Sequence, residues 1–320
     1  MRKTVWIPES ELNQVDWIIT CNAACDKWMD KSMDDIALFY SYFSIHEHKL
    51  FVKEIFDKIG LELKGTGLEI GAGPGILSNS IIKIFDNVRK IYLLDKAPNT
   101  YNLMKKVAEE NNTLNKLECI IGSFNDLKIP DNTLDFILDF DSIHHSENFD
   151  LTFKEISRVL KPKGVLVCFD RAQPNYISKK QIADILDIEY STKYKLENNI
   201  DINKKLTRRM QGETEPLLKD WVNTGKKYNL TSKVYIFHKK SIKDFIRTIY
   251  SLIVPYFFKS IIKKGINITT HYQVLLSYSN INSIFIQGVK VLNLDYNVQS
   301  KRSPKGKMVF CFKKLEDNNS

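Results

Sequence analysis

The stretch Leu68-Glu69-Ile70-Gly71-Ala72-Gly73-Pro74-Gly75 constrains the fold of this chain more than any other. An apolar run reads as a strand and three glycines, two apart, end it. The helix that follows carries Leu77, Ile81, Ile84 and Phe85 at helical spacing. Lacking Cβ atoms, such a strand-to-helix turn lets a ligand come close to backbone. The spacing excludes two alternatives. A dinucleotide fingerprint counted from Gly71 needs glycine at position 76, which is Ile76, and no Gly-Lys-Ser/Thr follows to make a phosphate-binding loop.

Around this turn, residues 61–170 alternate short apolar strands with helical patterns, as a parallel sheet covered by helices does. Strands are expected at Thr66–Ile70, Ile91–Leu94 ending in Asp95, Leu117–Ile121, Leu134–Phe140 and Val165–Phe169. Pro98 suits the start of a helix through Glu110. Asp150 is the expected cap of a helix that carries Phe153, Ile156, Val159 and Leu160 and is stopped by Lys161-Pro162. Val234–Phe237 and Met308–Phe312 would complete seven strands. The expected fold is therefore α/β, Rossmann-like and doubly wound, with a mostly parallel seven-stranded sheet. Along the chain this predicts a helical N-terminal cap over 1–60 and the core over 61–172. A basic lid or substrate segment follows over 173–231, then final strands with an inserted amphipathic helix over 232–316 and a tail at 317–320.

Charge is uneven. Between Lys195 and Lys264 there are 16 Lys plus Arg against 6 Asp plus Glu, a net of +10, so the other 250 residues sum to −1 in a chain of formal charge +9. Such a concentration suits an anionic partner. Nucleic acid is not favoured, because only 8 of the 47 basic residues are Arg, the better reader of phosphates and bases. No apolar run is long enough to span a bilayer. The first eleven residues lack a signal-peptide block, and five scattered cysteines suit a reducing compartment, so a cytoplasmic location is expected. Over 242–264, Phe245, Ile246, Ile249, Tyr250, Ile253, Tyr256 and Phe257 share one helical face opposite Lys243, Arg247 and Lys259. That pattern suits either the inner face of a membrane or a core, and leaves oligomeric state open.

With these motifs in place, the chain resembles the class I S-adenosylmethionine-dependent methyltransferases, most of all the ubiquinone/menaquinone-biosynthesis-type group. The resemblance covers about residues 60–172, with its elements in order. Glu69, Gly71, Gly73 and Gly75 match the acid-x-Gly-x-Gly-x-Gly signature. The resemblance implies that Asp95 takes both ribose hydroxyls, and a carboxylate suits a diol offering two donors. Gly122 to Leu127 is similar to the adenine-binding turn, which implies contacts from Ser123, where Asp is usual, and Phe124. Asp139 and Phe140 are implied to face the methionine part. The run Glu155 to Gly164 resembles the group's helix-to-strand signature, with Lys163 replacing a usual glycine.

Methyl transfer is an in-line displacement, so the protein must align the acceptor and, for a hydroxyl, remove its proton. His144 and His145 are candidate bases in the zone beyond the strand ends. Arg171 is a candidate contact for an anionic acceptor. Cys21 and Cys25 lack a third cysteine at position 28, and His46 and His48 lie on different helix faces, so no metal site is expected. The expected activity is methylation, at oxygen or carbon, of a small-molecule or lipid-linked acceptor, with S-adenosyl-L-methionine as cofactor. Two alternatives share the fold: an enzyme moving another group from a modified cofactor, and a catalytically silent binding protein.

Overall fold

The computed structural model describes residues 1–12, 16–41, 43–197, 200–239, 289–293 and 306–316. Nine strands form one sheet: β1 Arg2–Val5, β2 Gly65–Ile70, β3 Val88–Asp95, β4 Leu117–Ile121, β5 Leu134–Phe140, β6 Leu160–Ala172, β7 Leu230–Lys239, β8 Val289–Asn293 and β9 Gly306–Lys314. Their spatial order is β1-β4-β3-β2-β5-β6-β9-β7-β8. The first six strands run parallel, while β9 is antiparallel to both β6 and β7, and β8 is antiparallel to β7. From β2 the chain winds outward to β3 and β4, then returns to β5 and β6 on the other side. The strand order therefore reverses at β2, which puts a ligand crevice at its carboxyl end.

Helices cover both faces. The N-terminal segment supplies α1 Glu9–Leu12, α2 Asp16–Trp28, α3 Met33–Ser41 and α4 Ile45–Ile59; the crossovers are α5 Ile76–Ile84, α6 Thr100–Glu110 and α7 Phe149–Val159. After β6 come α8 Lys179–Leu186, α9 Thr192–Glu197 and α10 Leu218–Lys227. Period-two alternation sorts the strand residues between two cores. Leu93, Cys119, Phe136, Leu138 and Phe169 pack under Phe51 and Ile55 of α4, Leu77 and Ile81 of α5, and Met104 of α6. Leu68, Ile70, Ile137, Leu166, Phe310 and Phe312 pack under Phe153 and Ile156 of α7 and Trp221 of α10.

The expected doubly wound core is present, with three departures. Among the described residues the sheet has nine strands rather than the expected seven, because β1 and β8 add an edge each. In β1 the end residues Arg2 and Val5 are exposed and Lys3 and Thr4 half-buried, so an edge strand needed no apolar run to form. The cap expected to be helical over 1–60 consequently opens with a strand. Asn148, not Asp150, caps α7, its side chain accepting the Leu151 N–H at 3.0 Å. Strand β6 starts at Leu160, directly after α7. Lys163 holds a φ of +65° there, which explains why a glycine is usual at this place in the resembling group. The amphipathic stretch 242–264 and the tail at 317–320 lie outside the described residues. Among the described residues, no helix is long and apolar enough to cross a membrane.

Candidate active site

The glycine turn is shaped by its neighbours. Gly71, Gly73 and Gly75 have φ of +58°, +49° and +76°. A Cβ on Gly71 would come within 2.4 Å of the Ser142 side chain, whose Oγ donates to the Gly71 carbonyl at 2.9 Å. A Cβ on Gly73 would meet only the Tyr40 ring, at 3.5 Å, so this is where backbone is bare toward the site. Glu69, expected to touch the cofactor, is turned inward instead. It is buried, and Oε2 accepts from the Ser78 hydroxyl and, at 3.0 Å, from the Ser78 N–H. It therefore anchors the first turn of α5. Burial outweighs those bonds and pushes its carboxyl up to about 7.

Asp95 ends β3 beside this turn. Its Oδ2 accepts the Gly73 N–H at 2.8 Å and its Oδ1 the Ala97 N–H at 2.9 Å. The Lys96 backbone also favours the charged form of this carboxylate, whose two oxygens together offer about four acceptor sites, enough to take a further hydroxyl donor. Burial raises its carboxyl above the usual range. On the β4 side, the Gly122 N–H donates to the Asp95 carbonyl at 2.9 Å. Ser123 uses its Oγ to accept the Asn125 N–H at 3.2 Å, and Phe124 is half-buried against the α7 core. The cap reaches the same corner: Cys21 and Cys25 of α2 and Tyr40 of α3 lie within electrostatic reach of Asp95.

The segment after β5 carries the other expected residues. Asp139, expected to face the methionine part, is fully buried. Its Oδ1 accepts the N–H groups of Ser142 and Ile143 at 3.1 and 2.9 Å, so it holds the turn instead. Burial and nearby Asp170 raise its carboxyl well above the ordinary range. Phe140 is half-buried between His48 and Phe169, with ring centroids 5.5 and 5.8 Å away.

The structure separates the two histidines. His144 Nδ1 lies 2.6 Å from Asp170 Oδ1, and the His144 N–H donates to Asp170 Oδ2 at 3.1 Å. One carboxylate thus fixes both ring and backbone. His144 Nε2 lies 3.7 Å from Glu213, and the Thr214 N–H donates to the His144 carbonyl at 2.9 Å. At His145, burial first, then His144, push the imidazole down to about 3 against the opposing pull of Asp141. Arg171, expected to grip the acceptor, instead donates to Glu213 and lies 3.9 Å from Glu215. Arg208 joins the same two carboxylates, and Tyr190 donates to Glu213 at 3.0 Å. Asp170 was legible only as an acid ending a strand, and Glu213 carried no local signal.

Two groups, His144/His145/Glu213 and Asp141/His144/Asp170, bring potential metal-ligating atoms within 4.8 Å of one another. Arg171 and Arg208 already neutralise Glu213, and Lys307 lies 3.3 Å from Asp141. Those cations oppose a further positive ion.

The glycine turn thus stands where the order of the doubly wound sheet reverses, with the Asp95 carboxylate at the end of the adjacent strand. Residues 68–168 match the methyltransferase domain family. Demethylmenaquinone methyltransferase of Oceanobacillus iheyensis is 26% identical over 141 residues, covering 44% of this chain and 59% of that protein. Sterol 24-C-methyltransferase of Aspergillus fumigatus is 29% identical over 134 residues, 41% of this chain and 33% of that protein. The chain thus spans less than two thirds of the length of these relatives. Among solved structures, the YcgJ protein of Bacillus subtilis is 16% identical with a TM-score of 0.49, covering 85% of this chain and all of that one.

Proposed function

We propose that this chain transfers a methyl group from S-adenosylmethionine to an oxygen or carbon of a small-molecule or lipid-linked acceptor. The observation that carries the reading is Asp95, a carboxylate at the end of β3 bonded to the glycine turn beside bare backbone at Gly73. Gly71, Gly73, Gly75, Asp95, Ser123 and Phe124 would hold the cofactor. When bound, it supplies a methyl carbon activated by positively charged sulfur. The protein's own contribution is alignment and proton removal. With Nδ1–H directed at Asp170, the lone pair of His144 lies on Nε2, and the carboxylate stabilises the imidazolium formed there. His144 would take the proton of the attacking acceptor oxygen or carbon on Nε2 while Asp170 holds Nδ1–H. Glu213 faces that nitrogen from the lid and must yield to the acceptor. A neutral amine acceptor would need no such base. Support for a lipid-linked acceptor at the inner face of a membrane is the cationic excess over 195–264.

The test is calorimetry with S-adenosylhomocysteine, followed by a label-transfer screen against polar and lipid extracts. Asp170→Asn and His144→Ala should bind the product normally but turn over about two to four orders of magnitude more slowly. Wild-type rates in both variants would remove the base, and absence of product binding would remove the reading itself.

A further inference from the structure

We infer that Trp6 forms a wall of the adenine subsite, which makes the N-terminal strand β1 an element of the cofactor site. The inference rests on the reading of Asp95 as the ribose carboxylate. Strand β1 pairs in parallel with β4, Val5 opposite Ile121, and the Trp6 N–H extends the ladder by donating to the Ile121 carbonyl at 2.8 Å. The indole therefore stands at the carboxyl end of β4, on the ligand edge of the sheet.

It lies against Gly122. A Cβ there would come within 2.8 Å of Trp6 Cε3 and 3.2 Å of Trp6 Cβ, with Leu94 Cδ1 at 3.3 Å. Gly122 has no positive φ, so glycine is required by the indole and not by backbone conformation. The same residue donates its N–H to the Asp95 carbonyl, so the turn on which the indole rests is bonded directly to the residue read as ribose-binding.

The direction of the nucleoside follows from strand order. Asp95 lies between the glycine turn, which donates through Gly73 from the β2 side, and the Gly122 turn on the β4 side. Chemistry is concentrated beyond β5 and β6, at His144 and Asp170, so the reactive end of a ligand on Asp95 must run over β2. Its base must then run the other way, over β4. Two half-buried aromatic rings are found there, Trp6 and Phe124, both resting on the core of Leu94, Ile120 and Leu127. Aromatic faces resting on a core and wet on one side are what a planar base stacks on.

The full chain and S-adenosylhomocysteine provide the test. Trp6→Leu keeps an apolar contact with Gly122 but removes the ring. It should weaken binding by about tenfold, the scale of one base–aromatic stack, while Trp6→Phe recovers most of the affinity. Independently of that variant's folding, a Trp17→Phe/Trp28→Phe chain leaves Trp6 and the buried Trp221 as emitters. Saturating product should quench the exposed component of its fluorescence. Undiminished binding by folded Trp6→Leu, or no quenching at saturation, overturns the inference while the cofactor reading stands. If the wild-type chain binds no product, the Asp95 reading fails, and this inference with it.

Discussion

A carboxyl buried on hydroxyl and amide donors alone makes stability depend on pH in an unusual direction. Glu69 is such a group: its carboxyl titrates near 7 in the fold, against about 4.5 when exposed. Between those values the folded chain keeps a proton that the unfolded chain has released. The stability linked to it is full below about 4.5 and is lost as pH rises through 7, a difference of about 3 kcal/mol. Glu69→Gln, which can still accept from Ser78, should melt above wild type at pH 8 and with it at pH 4.5. Melting below wild type at pH 8 would mean that charged hydrogen bonds to Ser78 outweigh burial. At this scale the sequence was legible in part. Asp95 and the glycines stand beside one another as their spacing implied, because backbone geometry alone places them. The inward turn of Glu69 and the choice between His144 and His145 were not legible. Each is decided by a partner elsewhere: Ser78 for Glu69, and Asp170, 26 residues onward, for His144.

At the level of elements, the glycine turn joins two jobs that substitution should separate. Gly71→Ala forces a side chain at positive φ into Ser142, and should cost at least about 2 kcal/mol of stability through strain and overlap. Gly73→Ala bears a similar φ strain, about 1–2 kcal/mol, but meets only Tyr40 at contact distance. It should fold, and lose product binding out of proportion to its stability, because its methyl fills the bare approach to backbone. Urea melts with calorimetry on both variants decide this; equal loss of binding and stability in the two would dissolve the distinction. Strands buried on both faces, such as Leu117–Ile121, were legible as apolar runs. Strand β1 was not, since Arg-Lys-Thr-Val is mostly polar and only its ladder to β4 makes it a strand. That omission also hid Trp6.

Across the whole molecule, the N-terminal helices and the segment after β6 both reach toward the carboxyl ends of the strands. The cap brings Tyr40 over Gly73 and Cys21 near Asp95, and Tyr194 of α9 lies within electrostatic reach of Cys21. Tyr190 and Tyr194 stack with centroids 4.3 Å apart, and Tyr190 donates to Glu213. The charge run that suggested an anionic partner is partly spent inside the protein. Arg208 serves Glu213 and Glu215, Lys195 is buried on Glu189, and Arg209 and Lys227 pair with Asp187 and Asp150. A sequence counts charges but not their partners, so it overstated the free cations of the lid. On the proposed reading these parts surround the cofactor, so product binding should stabilise them together. A ligand at a hundred times its dissociation constant adds about 2.7 kcal/mol to a fold that alone binds it. S-adenosylhomocysteine should thus raise the melting temperature, and NAD should not. It should also slow proteolysis within 187–212, where Ile188, Leu196 and Ile202 are exposed to a protease. A raised melting temperature with unchanged cleavage in that segment would place the lid outside the cofactor-coupled unit and leave only cap and sheet around the ligand.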